Sequence, residues 1–184
     1  MRKCLSAVPP LVLLFFSSVA CQDKAARAEV ETYKAQQATQ AQNKEVVRAF
    51  FSAIDRNDFG KLEELCTRDF SLPVPGLAEP LRLDGLVQAI KTHYAAFPDW
   101  KHRIDDMVAE GDKVAVTIFQ GGSHKGAYEG IAPTQAAVTL RAQCVVVVAN
   151  GKVKELRVVE DYLDFYRQLG MELKPKDLKA KAGR

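Results

Sequence analysis

The stretch VTLRAQCVVVVANGKVKELRVVE, residues 138–160, decides the fold. Val138 to Val148 is a long run rich in β-branched side chains, which pack well on a pleated surface. A second such run goes from Val153 to Tyr162. Between them stands Asn150-Gly151, and both residues tolerate the positive φ that a type I′ turn requires. The stretch therefore reads as a β-hairpin of two long strands.

Upstream of this hairpin, Val114, Val116 and Ile118 alternate with Ala115, Thr117 and Phe119, the period-two pattern of another strand. Glu110-Gly111-Asp112 marks a second hairpin, which completes a four-strand meander. Before residue 100 the period is that of helices. Val46, Val47, Phe50, Phe51 and Ile54 make one apolar stripe. The run Asp55 to Asp58 ends that helix, and Asp58 is placed to cap a short second one carrying Leu62, Leu65 and Cys66. Residues 69–82 hold Pro73, Pro75, Gly76 and Pro80 and read as an irregular loop with an extended edge. Asp84 is expected to cap a third helix, with Leu86, Val87, Ile90, Tyr94 and Phe97 inward, ended by Pro98-Asp99. The fold class is thus α+β: three N-terminal helices packed in a curved antiparallel sheet. Leu163 to Leu169 reads as a short closing helix stopped by Gly170.

The amino end has a different character. Arg2 and Lys3 precede an apolar stretch from Leu5 to Val19, and Ser18-Val19-Ala20 supplies small residues for cleavage before Cys21. That is the three-part pattern of a signal peptide, residues 1–20. The stretch is shorter than the ~20 apolar residues of a membrane span, and Pro9-Pro10 interrupts it. Ser17-Ser18-Val19-Ala20-Cys21 resembles a bacterial lipobox, with Ser18 where such motifs usually carry leucine. The resemblance implies acylation of Cys21, a membrane partner through that lipid anchor, and a cell-envelope location, the outer membrane where the host has two. The alternative is simple cleavage, giving a secreted or periplasmic protein. Residues 21–42 are rich in Ala, Gln, Lys and Glu, without Gly or Pro, and read as a stiff lipid-anchored spacer. The globular domain spans 43–170, and 171–184 reads as a basic disordered tail.

The chain of 184 residues carries a formal net charge of +3. Arg2 and Lys3 supply two of those charges, so the remainder is near neutral and offers no footprint for nucleic acid. There is no P-loop, no glycine-rich dinucleotide turn, no His-Glu-x-x-His and no paired Cys-x-x-Cys. His93, His102 and His124 are scattered. No metal and no cofactor is expected. Cys66 and Cys144 are read as two buried thiols, with a disulfide as the alternative in an oxidising compartment.

A series of short motifs then becomes specific by its order: Ala96-Phe97-Pro98-Asp99-Trp100, Val108 to Val116 around Glu110-Gly111-Asp112, Gly122-Ser123-His124-Lys125-Gly126, Gly130-Ile131-Ala132-Pro133-Thr134, Asn150-Gly151-Lys152-Val153 and Arg167-Gln168-Leu169-Gly170. The series resembles the SnoaL-like polyketide cyclase family of the nuclear transport factor 2-like superfamily, over roughly residues 44–170. The resemblance implies a cone, a curved antiparallel sheet wrapped around three helices and open at one end onto an apolar pocket. It implies an aspartate at position 158 as the acid/base group, with histidines at 156 and 144. This chain has Val158, Leu156 and Cys144 there, and valine cannot move a proton. Gly121-Gly122 is expected to absorb a bulge. Gly126, Gly130 and Pro133 are expected, by resemblance, to shape a loop along the pocket rim.

Three readings follow. In the first, the protein binds a small apolar molecule in the cone, with Tyr94, Phe97, Trp100, Cys144, Leu156 and Val158 as lining, and the cyclase chemistry is lost. In the second, it is a small-molecule enzyme of cyclase, isomerase or hydrolase type with a relocated carboxylate. Glu160 shares a strand face with Val158, two residues away; Asp161 follows it, and His124 matches the rim-loop histidine of the family. In the third, Arg141, Gln143, Val145 and Val147 form an outer sheet face for a homodimer or an envelope partner. Each candidate also has a plain structural role: a hydrated Glu160, a loop-bracing His124, core aromatics.

Overall fold

The computed structural model describes residues 11–172 and 174, with side chains from residue 24. The first half of the expected signal peptide, the side chain of Cys21 and most of the basic tail lie outside the described residues. The chain divides into two compact units, Met1–Thr39 and Gln40–Arg184. Helix α1 runs Leu11–Asp55. In the first unit its residues 24–39 are all exposed, including Val30 and Tyr33, as expected of good helix formers with nothing to bury. Among the described residues no helix is long and apolar enough to cross a membrane.

The second unit is an α+β domain. The last part of α1 buries Val47, Phe50, Phe51, Ala53 and Ile54. Short α2 (Phe59–Leu65) is capped by Asp58, whose carboxylate accepts from the Lys61 N–H, as expected. Strand β1 (Cys66–Ser71) follows, then α3 (Leu83–Ala96), β2 (Lys101–Glu110), β3 (Lys113–Ser123), β4 (Ala137–Ala149), β5 (Lys152–Glu160) and α4 (Tyr162–Gln168). The sheet order is β1-β5-β4-β3-β2. Strands β2 to β5 form the expected antiparallel meander. Asn150 and Gly151 have φ of 51° and 72°, the left-handed pair that a type I′ turn needs.

Four expectations are corrected. The sheet is mixed, because β1 lies parallel to β5, and Cys66 opens that strand instead of ending α2. The helices are not a block of three at the amino end, since β1 separates α2 from α3 and α4 closes the domain. Asp84 sits inside the first turn of α3, where it accepts from the Gly85 N–H; the cap position is Arg82, whose side chain makes no capping bond. Gly121 and Gly122 carry no bulge: the register runs through them unbroken, and it shifts at Ile104/Asp106 and at Val147/Val148 instead. The two glycines serve close approach. A Cβ on Gly121 would lie 2.6 Å from the Val138 carbonyl, and one on Gly122 would lie 3.1 Å from Trp100.

One face of the sheet holds the core. Val114, Val116, Ile118, Ala142, Cys144, Val146, Val153 and Leu156 pack against α1, β1 and α3 residues. A second cluster, Phe97, Trp100, Tyr128, Val138, Leu140, Phe165 and Leu169, joins α4 to the β3–β4 end.

Candidate functional site

Strand alternation and register together place the site. Val158 pairs with Cys144 on β4, which pairs with Val116 on β3; Glu160 pairs with Ala142, which pairs with Ile118. All these partners face the core, so Val158 and Glu160 do too. Both are half-buried. Gln120, on the same face of β3 and 8% exposed, donates from Nε2 to Glu160 Oε1. Its other end is fixed as well, because Gln120 Oε1 accepts from Trp100 Nε1 at 3.3 Å. The indole thus sets which way the amide points, and the amide holds the carboxylate. Among the described residues no basic side chain pairs with Glu160. Burial pushes the Cys144 thiol up to about 12, with the Glu160 charge adding to it. Burial likewise raises the Tyr128 phenol to about 12, ahead of the charges of Glu129 and Glu160. Tyr162 is raised too, by burial first and then by the Glu160 charge.

A second polar pair lies on the neighbouring strand. His102 of β2 is the cross-strand partner of Gln120. Its Nδ1 lies 2.6 Å from Oδ1 of Asp55, the last residue of α1. The backbone N–H of His102 donates to both oxygens of the same carboxylate, at 3.1 and 3.3 Å. The Tyr94 hydroxyl donates to Asp55 Oδ1 at 3.4 Å. The side chains of His102 and Asp55 are 11% and 19% exposed, so the pair is shielded and still reachable. His93 stands close by on α3, stacked on Phe97 at 4.9 Å and edge-on to Trp100 at 4.4 Å. Burial holds its pKa down at about 4, with some repulsion from His102.

The other expected site residues fall elsewhere. His124 is 0% exposed and so is not an open rim group. Its Nδ1 accepts from the Thr134 N–H at 3.2 Å, its ring stacks on Phe97 at 5.0 Å, and its Nε2 is buried without a partner. A packed histidine braces the 124–136 loop, which His124 and Ala136 close by a backbone bond. Asp161 is exposed and caps α4 by accepting from the Asp164 N–H. Of Glu160, Asp161 and His124, only Glu160 shares the inner face with Gln120. Among the apolar lining candidates, Phe97 at 0% and Trp100 at 2% are packed into a core cluster. Cys144 at 5% and Leu156 at 6% are core as well, which leaves Tyr94 and Val158 half-buried at its edge. A groove of about 600 Å³ does exist, lined by Pro73 to Leu77 and by Ala115, Gln143, Cys144, Val145, Arg157, Val158 and Val159. Two of the expected lining residues, Cys144 and Val158, thus border it, and the other strand residues are outward-facing ones.

Asp55, His102 and Gln120 are the polar residues that sequence reasoning passed over. Asp55 reads as a helix breaker, and nothing in a single sequence ties it to a histidine 47 residues away. A usable signal was alternation on β2, where His102 and Ile104 share the inner face.

The domain is similar to several solved structures. IdmH of Streptomyces antibioticus, a candidate polyketide cyclase, is 23% identical with a TM-score of 0.65, over 70% of this chain and 99% of that one. AclR of Streptomyces galilaeus, a candidate hydroxylase, is 23% identical with a TM-score of 0.66, over 78% and 95%. An LEH-like epoxide hydrolase of M. tuberculosis is 16% identical with a TM-score of 0.57, over 71% and 91%. At these identities the likeness shows the shared fold. No curated protein matches the chain. Residues 44–169 match the family model described as SnoaL-like polyketide cyclase, most of the chain, and the protein therefore belongs to the SnoaL-like family.

Proposed function

We propose that the protein binds a small organic molecule at the open edge of its inner sheet face and moves a proton on it with Glu160. One observation carries the reading: a carboxylate two residues along β5 from Val158 faces inward, held by Gln120 and without a basic partner among the described residues. A base must be oriented and must not be neutralised by a permanent cation. Val158 removes the acid/base group from the position the family resemblance implies, and Glu160 restores one on the same strand face. The buried Phe97, Trp100, Cys144 and Leu156 favour a shallow site over the deep cone pocket expected from sequence.

The test is α-proton exchange in D2O across a panel of enolisable ketones and esters, followed by NMR. Glu160→Gln should lower exchange of any accepted compound at least tenfold, about 1.4 kcal/mol of barrier. Asp105→Asn, an exposed carboxylate near Arg103, should leave it unchanged. Equal exchange by Glu160→Gln and the parent protein would remove Glu160 from the mechanism. Retention of a compound with no exchange would support the alternative of a binding protein, favoured by the apolar residue at position 158.

A further inference from the structure

We infer that His102, oriented by Asp55, is a second acid–base group of the same site. The inference rests on the reading of Glu160 above but has its own geometry. The Nδ1–Oδ1 distance of 2.6 Å is that of a strong, charge-assisted hydrogen bond. Asp55 cannot swing away from it, because the His102 backbone N–H holds both of its oxygens and the Tyr94 hydroxyl donates to one. In the neutral imidazole the proton therefore sits on Nδ1, facing the carboxylate, and the lone pair sits on Nε2. Among the described residues Nε2 has no hydrogen-bond partner, and it is not among the buried, unpartnered atoms as the Nε2 atoms of His93 and His124 are. Of the three Nε2 atoms only that of His102 is thus left unpaired without being walled in by the core, where its lone pair can meet an incoming molecule.

Gln120 links the two groups. It is the cross-strand neighbour of His102 and the hydrogen-bond donor to Glu160, so imidazole and carboxylate flank one amide on one face of the sheet. Neighbouring side chains on such a face stand within reach of one small molecule. In the proton step, a C–H or O–H bond of the bound molecule breaks, its electron pair stays on that molecule, and the proton moves to Nε2. The new positive charge is offset by the Asp55 carboxylate hydrogen-bonded to Nδ1. Glu160 serves the second proton position. Two groups on either side of a bound molecule let a proton leave one atom as another is delivered elsewhere, which a lone carboxylate cannot do.

The experiment uses the full chain and two probes. Diethyl pyrocarbonate labelling, mapped by mass spectrometry, should modify His102 at least ten times faster than His93 or His124. With 5-nitrobenzisoxazole, whose ring opening needs only a base, His102→Ala should cut kcat/KM at least tenfold, and added imidazole should restore much of it. Such rescue is not expected of a histidine that merely ties β2 to α1. Asp55→Asn, which keeps the shape, should lower kcat with little change in KM. Labelling of His102 no faster than of the other two, or no turnover by the parent protein, would overturn the inference. Loss of turnover in Glu160→Gln alone, with His102→Ala unaffected, would overturn it too while leaving Glu160 in place. Loss in His102→Ala alone would uphold His102 and remove Glu160.

Discussion

Position 158 and position 160 differ by one pleat of a strand, and that spacing decides what chemistry the inner face holds. The period-two rule carries Glu160 to the same side as Val158 from sequence alone, and the register with Ala142 agrees. The same rule could not tell that Phe97 and Trp100 would be packed solid, because apolar periodicity marks a side as inward without saying whether it meets atoms or space. Nor could it find Asp55 and His102, whose partnership depends on where the end of α1 meets the start of β2. His93 supplies a test at this scale. Burial lowers its pKa from 6.5 to about 4, so the unfolded chain binds its proton first as the solution is acidified. The stability that neutral His93 contributes is complete above about 6.5 and is lost as pH falls towards 4. The shift corresponds to about 3 kcal/mol at most. Urea melts at pH 7.5 and 4.5 should therefore show a smaller loss of stability in His93→Phe than in the parent protein.

Elements were legible where the chain carries local chemistry. Asn150-Gly151 names its own turn, and Asp58 its own cap. Strand β1 was not, because Cys66-Thr67-Arg68-Asp69-Phe70-Ser71 has weak alternation and is held by non-local pairing to β5. Gly126 was read as a loop-shaping residue, and its constraint is tighter than that. Its backbone N–H and that of Lys125 both donate to the Ala96 carbonyl, at 2.9 Å, which docks the loop on the end of α3. An added Cβ would stand 2.3 Å from the Ala95 carbonyl, which is backbone and cannot turn aside. Gly126→Ala should cost about 2–3 kcal/mol in equilibrium unfolding, by overpacking. A change below about 0.5 kcal/mol would mean that the loop slides off α3 freely.

At the scale of the whole chain, the amino-terminal segment and the outer sheet face each carry a proposal. Acylation at Cys21 remains our proposal, carried by the Ser17 to Cys21 run and the apolar segment before it. Cys21→Ser should move the protein out of the membrane fraction and abolish incorporation of labelled palmitate, as measured in a bacterial host. The outer face does present Arg141, Gln143, Val145 and Val147 away from the core, with Val159 75% exposed beside them. A homodimer through that face is likewise a proposal. Part of the face is already occupied, since Arg103 and Arg141 both lay their guanidinium groups over Phe119, at 5.0 and 4.7 Å.

Trp100 is the only tryptophan in the chain, and its N–H is one bond removed from the amide that holds Glu160. Any molecule that displaces Gln120, or changes the charge beside it, alters the surroundings of a single indole. The emission colour and lifetime of that ring are thus a natural gauge of occupancy, readable in the unmodified protein without knowing beforehand what it takes up.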